Sequence, residues 1–119
     1  MWIYRQANGQ LWLGEECVGC GYSGCGVGKN NPVMEDVHNV GPIPRGRYLI
    51  GPAHDTTTHG PYVLDLTPCD VLGMHGRGGF LIHGDNRHDP GMASHGCIVL
   101  PRDIRERIGT SGIELLEVV

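Results

Sequence analysis

At 119 residues the chain is sized for one domain, residues 1–119, with a core of its own but no room for two. Its 18% charged residues and formal net charge of -4 exclude the basic face that a nucleic-acid partner requires. No apolar run approaches the ~20 residues that span a bilayer. Twenty glycines and eight prolines against a single Phe predict many turns, hence a mainly β fold rather than a helical bundle. The opening residues, Met1 to Gln6, have neither a charged n-region nor an apolar h-region, so the expectation is a chain made in the cytoplasm without a signal peptide.

Trp2-Ile3-Tyr4 and Leu11-Trp12-Leu13 flank Asn8-Gly9, which predicts a hairpin because Asn-Gly tolerates positive φ at both turn positions. Trp2 and Trp12 read as strand core rather than as sugar-stacking platforms. The stretch Cys17 to Gly28 contains Gly19-x-Gly21-x-x-Gly24, formally a dinucleotide fingerprint. Gly26, Gly28, Asn30, Asn31 and Pro32 would break the helix that such a motif needs, so the stretch reads as an ordered surface loop. As the rim of a groove it would offer Tyr22 and Ser23 to a substrate. Gly41 to Gly46 is turn chemistry, and Arg47 to Ile50 continues it as a strand. Residues 51–60 form a polar loop in which His54 and His59 are expected to be solvated, as is His38 elsewhere in the chain. Tyr62 to Leu66 reads as a strand stopped by Pro68.

Gly76-Arg77-Gly78-Gly79 predicts a tight connection. Arg77 is a candidate to grip a substrate carboxylate, since Arg holds carboxylates bidentately; the alternative is an ordinary surface arginine. Phe80-Leu81-Ile82 and Ile98-Val99-Leu100 read as buried strands around a polar, glycine-rich loop. Paired as an antiparallel hairpin, they would bring His83 and Cys97 together at the mouth of that loop. A thiolate is the nucleophile of cysteine chemistry, and a neighbouring imidazole that takes its proton supplies it at neutral pH. The Gly96 and Cys97 amides would donate to a developing oxyanion, and the Gly84 carbonyl would orient the His83 ring. Ser94 and His95 would shape the substrate side. Pro101 to Gly109 has helix grammar, with Ile104 and Ile108 on one face and Gly109 as the stop. Ile113 to Val119 ends the chain as a strand.

His83-Gly84 followed by Ser94-His95-Gly96-Cys97-Ile98 resembles the signature of the L,D-transpeptidase catalytic domain (YkuD type). Pro44, Gly46 and Tyr48 resemble a second landmark of that family at the entry to a strand. The nearer resemblance is to a small, signal-less branch found as type VI secretion effectors. It implies an L,D-transpeptidase-like β-sandwich or mixed sheet with one short α-helix near the C-terminus. It implies a Cys97 nucleophile, a His83 base and no cofactor or metal. The substrates would be peptidoglycan stem peptides, handled by L,D-carboxypeptidase or D-amino-acid exchange chemistry. A cognate immunity protein and a secretion apparatus would be the protein partners, and the periplasm of a target cell the place of action. Secreted family members commonly carry a polar residue two positions after the cysteine. Here Val99 stands there, so that contact would be absent or supplied elsewhere, for instance by Arg102.

Setting Cys97 aside leaves Cys17, Cys20, Cys25 and Cys69, which can pair in three ways. Disulfides, reduced thiols and a four-cysteine zinc site all remain open. Three other functions compete: a papain-like or NlpC-type cysteine peptidase, a zinc amidase built on His83, Asp85, His88 or His95, and a non-catalytic phage or secretion-apparatus module. The first runs Cys before His, the reverse of this order. The second shows no His-x-His spacing. In the third Cys97 is merely a buried small hydrophobe.

Overall fold

A computed structural model describes residues 1–119. The fold is mainly β, as composition predicts, with one short helix near the C-terminus. Nine strands are ordered β3-β2-β1-β9-β5-β6-β7-β8-β4 in one mixed sheet. They are β1 (Trp2–Tyr4), β2 (Gln10–Leu13), β3 (Glu16–Cys20), β4 (Tyr22–Ser23), β5 (Gly46–Ile50), β6 (Leu64–Pro68), β7 (Phe80–His83), β8 (Ile98–Val99) and β9 (Leu115–Val118). The strands β3 and β4 lie at opposite edges of the sheet, yet only Gly21 separates them in sequence. The sheet therefore curls until its edges nearly meet. The Gly21 N–H donates to the Gly9 carbonyl on one side at 2.8 Å. On the other side a Cβ at Gly21 would fall 1.9 Å from the Val99 carbonyl oxygen. Only glycine lets the chain pass there.

This closure revises the reading of Cys17 to Gly28. Half of it is strand, and Gly21, Gly24 and Gly28 mark close backbone approach rather than a surface loop. The predicted first hairpin is present, with Tyr4 opposite Leu11. Its turn is wider than the two residues expected. Arg5 N–H bonds the Gln10 carbonyl at 2.8 Å, and of Asn8 and Gly9 only Gly9 has positive φ (74°).

The core is one cluster inside the curled sheet, built from Trp2, Tyr4 and Leu11 of the hairpin, Tyr48 of β5, Ile82 and Ile98 of β7 and β8, and Leu116 of β9. Trp12 is only half-buried and lies under the Arg5 guanidinium at 5.2 Å. Ile104 and Ile108 of α1 (Arg102–Thr110) cover one opening of the cluster. The helix runs through Gly109 instead of stopping there. A side chain at that position would strike the Tyr62 hydroxyl, so Gly109 serves packing, and the chain turns away at Gly112 (φ 75°). No helix is long and apolar enough to cross a membrane.

Candidate active site

β7, which ends at His83, and β8, which starts just after Cys97, pair in parallel, not as the expected antiparallel hairpin: Ile82 lies beside Ile98, and His83 beside Val99. The Gly84–Gly96 segment is therefore a crossover that returns to the start of β8, and it has no mouth where its two ends meet. In this register Cys97 falls level with Leu81, two positions before His83, about 6.6 Å back along the strand. Alternation puts Cys97 and His83 on the same face, opposite the core residues Ile82 and Ile98. No hydrogen bond joins the thiol to the imidazole. The Cys97 Sγ lies 3.8 Å from the Gly79 carbonyl oxygen.

His83 is 2% exposed. Its Nδ1 lies 2.8 Å from the Gly84 carbonyl oxygen. A carbonyl only accepts, so Nδ1 carries the proton and Nε2 is left with its lone pair. This is the orienting contact expected of Gly84. Burial lowers the His83 pKa, and the nearby His59 and Arg105 add to the effect, while the Gly84 contact and Asp85 oppose it. His59 is exposed, as expected, but its ring lies 4.7 Å from that of His83, a neighbour the sequence did not suggest. Burial raises the Cys97 pKa; the Leu81 N–H and the Arg77 charge act the other way. Both shifts favour the uncharged forms, thiol and imidazole.

Several expected substrate contacts turn out to be internal struts. Ser94 is fully buried. Its hydroxyl donates to the Cys97 carbonyl at 2.6 Å and accepts from Gly24 N–H at 2.9 Å and Gly96 N–H at 3.1 Å. The Gly96 amide, expected to face a developing oxyanion, is thus engaged by the Ser94 hydroxyl. Arg77 does not reach outward for a carboxylate. Its guanidinium donates to the carbonyls of Pro42 at 2.7 Å, Gly41 at 3.0 Å and His95 at 3.5 Å, and to that of Glu35 as well. Gly96 (φ 139°) has no Cβ to obstruct that guanidinium. Tyr22 clamps the crossover: its hydroxyl donates to Asp85 at 2.6 Å and accepts from Ala93 N–H at 2.9 Å. Burial and the Asp85 carboxylate push its pKa up to about 12.

Two open hollows flank this constellation. One, of about 650 Å³, is lined by His59, His83, Asp85, His95, Arg102 and Arg105 among others. The other, of about 210 Å³, holds Cys97 with Arg77, Gly79 and His95. His95 is the residue shared between them. It is exposed, with Nδ1 3.2 Å from the Asn39 carbonyl oxygen.

Compared with known protein families, residues 19–118 match the Tlde1 domain. The chain belongs to the Tlde1 family. That family is one of type VI secretion effectors, in keeping with an antibacterial effector, and it fits a cognate immunity protein and a secretion apparatus as partners. The Tlde1 match begins at Gly19 and so takes in the glycine-rich closure as well as both strands of the site. A comparison with curated proteins finds no match. All five cysteines are free thiols, and nowhere do three His, Cys, Asp or Glu side chains converge in a metal-binding arrangement.

Proposed function

We propose that this Tlde1 domain is a cysteine-dependent enzyme that cleaves or exchanges the terminal D-residue of peptidoglycan stem peptides through an acyl-enzyme. The observation that carries the proposal is the parallel β7–β8 register, with a free Cys97 and a His83 latched through Nδ1 on one face of neighbouring strands. An effector family acting on rival bacteria suits a cell-wall target.

The chemistry follows from the groups in hand. Cys97 turns from Gly79 toward His83 and gives its proton to Nε2. The thiolate attacks the carbonyl carbon of the residue before the terminal D-residue, and the Cys97 N–H donates to the resulting oxyanion. Collapse breaks the C–N bond, and the imidazolium returns the proton to the leaving amine. Water, or the amine of an incoming D-amino acid, then gives a proton to His83 and attacks the thioester, which releases Cys97. Apo catalytic contacts are commonly long and tighten when substrate binds, in keeping with the separation seen here.

The deciding experiment is mass spectrometry of purified muropeptide tetrapeptides after incubation, with and without free D-amino acids. Loss of the terminal D-residue, or its replacement, is expected with wild type and absent with Cys97→Ala and His83→Ala that remain folded. Turnover retained in either folded variant defeats the role given to that residue.

A further inference from the structure

Of the buried residues, Arg105 alone carries a fixed charge. It lies on α1, is 5% exposed, and makes one long hydrogen bond, Nη1 to the Leu100 carbonyl at 3.3 Å. Its Nε has no partner, and no carboxylate forms an ion pair with it. A guanidinium held this way is expected to have a partner, since buried charges are paired or bound to a ligand. The side chain lines the larger hollow beside His83, where Arg87 and Arg102 are also found. Its guanidinium packs against Gly84: a Cβ there would come 2.5 Å from Nη1. The residue that orients the imidazole thus also leaves room for the guanidinium. Asp85, the one acid in the lining, is engaged by the Tyr22 hydroxyl and by the Asn86 and Gly91 amides. A chain of net charge -4 therefore turns a basic hollow toward its histidine, with Arg102 at the rim shared with Glu106 at 2.7 Å.

We infer that Arg105 anchors the free terminal carboxylate of the substrate's departing D-residue, with Arg102 and Arg87 supporting it at the rim. This rests on the reading of the site as an acyl-transfer enzyme. The position follows from the chemistry: His83 protonates the leaving amine, so the leaving residue lies on the His83 side. Its carboxylate is one carbon from that amine, within reach of a guanidinium packed against Gly84. A planar guanidinium that lines the hollow suits bidentate carboxylate binding. The same anchor would hold the carboxylate of an incoming D-amino acid in exchange.

The test compares a stem tetrapeptide with its C-terminal amide, and with a tetrapeptide amidated at the internal diaminopimelate carboxylate instead. Wild type is expected to lose about 10- to 100-fold in kcat/KM on the C-terminal amide, the worth of a charge-assisted hydrogen bond, and to tolerate the internal amide. Arg105→Gln should lose a similar factor on the free acid and become indifferent to C-terminal amidation, and Arg102→Gln should show a smaller loss. Calorimetric binding to Cys97→Ala repeats the acid-against-amide comparison without turnover, so failed catalysis and a failed anchor are read separately. Should Arg105→Gln not fold, Arg105→Lys, which keeps the charge and loses the fork, carries the same acid-against-amide comparison. Equal handling of acid and C-terminal amide overturns the inference. So does a preference for the acid that survives in Arg105→Gln, or sensitivity to the internal amide in place of the terminal one.

Discussion

The Ser94 hydroxyl donates to the carbonyl of Cys97 at 2.6 Å, closing a turn just ahead of the candidate nucleophile. The same oxygen accepts the N–H groups of Gly96 and, across the sheet closure, Gly24. Ser94→Ala would leave those two amides and one carbonyl without partners in a site with no access to water. A loss of about 1–3 kcal/mol is expected, the cost of leaving buried polar groups unsatisfied. Urea unfolding measures it as a lower midpoint at unchanged slope. A midpoint equal to wild type would mean the hydroxyl network is not needed to hold the turn.

Arg77 ties the carbonyls of Glu35, Gly41, Pro42 and His95 together and is the cation that favours the Cys97 thiolate. Burial already raises the Cys97 pKa, and Arg77→Met removes one of the two influences opposing it. The pH at which Cys97 becomes reactive should therefore rise. Iodoacetamide alkylation followed residue by residue by mass spectrometry separates Cys97 from the exposed Cys17, Cys20 and Cys69. An unmoved Cys97 profile in a folded variant would show that the Arg77 charge does not reach the sulfur.

A base that must be neutral sets the acid limb of the pH–rate profile. Burial holds the His83 pKa below the usual 6.5, and the His59 and Arg105 charges push in the same direction. Activity should fall only as pH drops through that lowered value, so the limb lies below 6.5. His59→Asn removes one depressing charge and should shift the limb upward. The kcat/KM profile checks this, and NMR titration of the His83 ring gives the same comparison without substrate. A limb above 6.5, or one indifferent to His59, would contradict the electrostatics described here.

The strands flanking the site were legible because apolar runs such as Phe80-Leu81-Ile82 declare themselves, and α1 was legible from Ile104 and Ile108. The direction of pairing was not, since a long polar connection serves a hairpin or a crossover equally well. Glycines carry no periodicity, so β3 and β4 were hidden; what fixes Gly21 is the Val99 carbonyl, far away in sequence. The His83–Gly84 latch was readable because the two residues are consecutive. Arg105 was missed for the converse reason. On a helix wheel it reads as polar surface, and only the crossing of α1 with Gly84 encloses it.

Glu35 gives a prediction away from the chemistry. Its largest influence is burial, which would raise its pKa. The Arg45 side chain and amide and the Gln6 amide together outweigh it and hold the carboxyl at about 2. A carboxylate depressed in the folded state stabilises it above the ordinary value of 4.5, and that contribution disappears as pH falls toward 2. Allowing for the half-exposed Arg45, the effect at neutral pH is roughly 2 kcal/mol. Glu35→Gln should be less stable than wild type by about this amount at neutral pH, and the two should converge as acid protonates the wild-type carboxyl. Urea midpoints at several pH values measure the difference between the proteins, which cancels the titration of the other carboxylates. A gap that stays constant down to low pH would show that the charge of Glu35 contributes nothing to holding the wall behind Arg77.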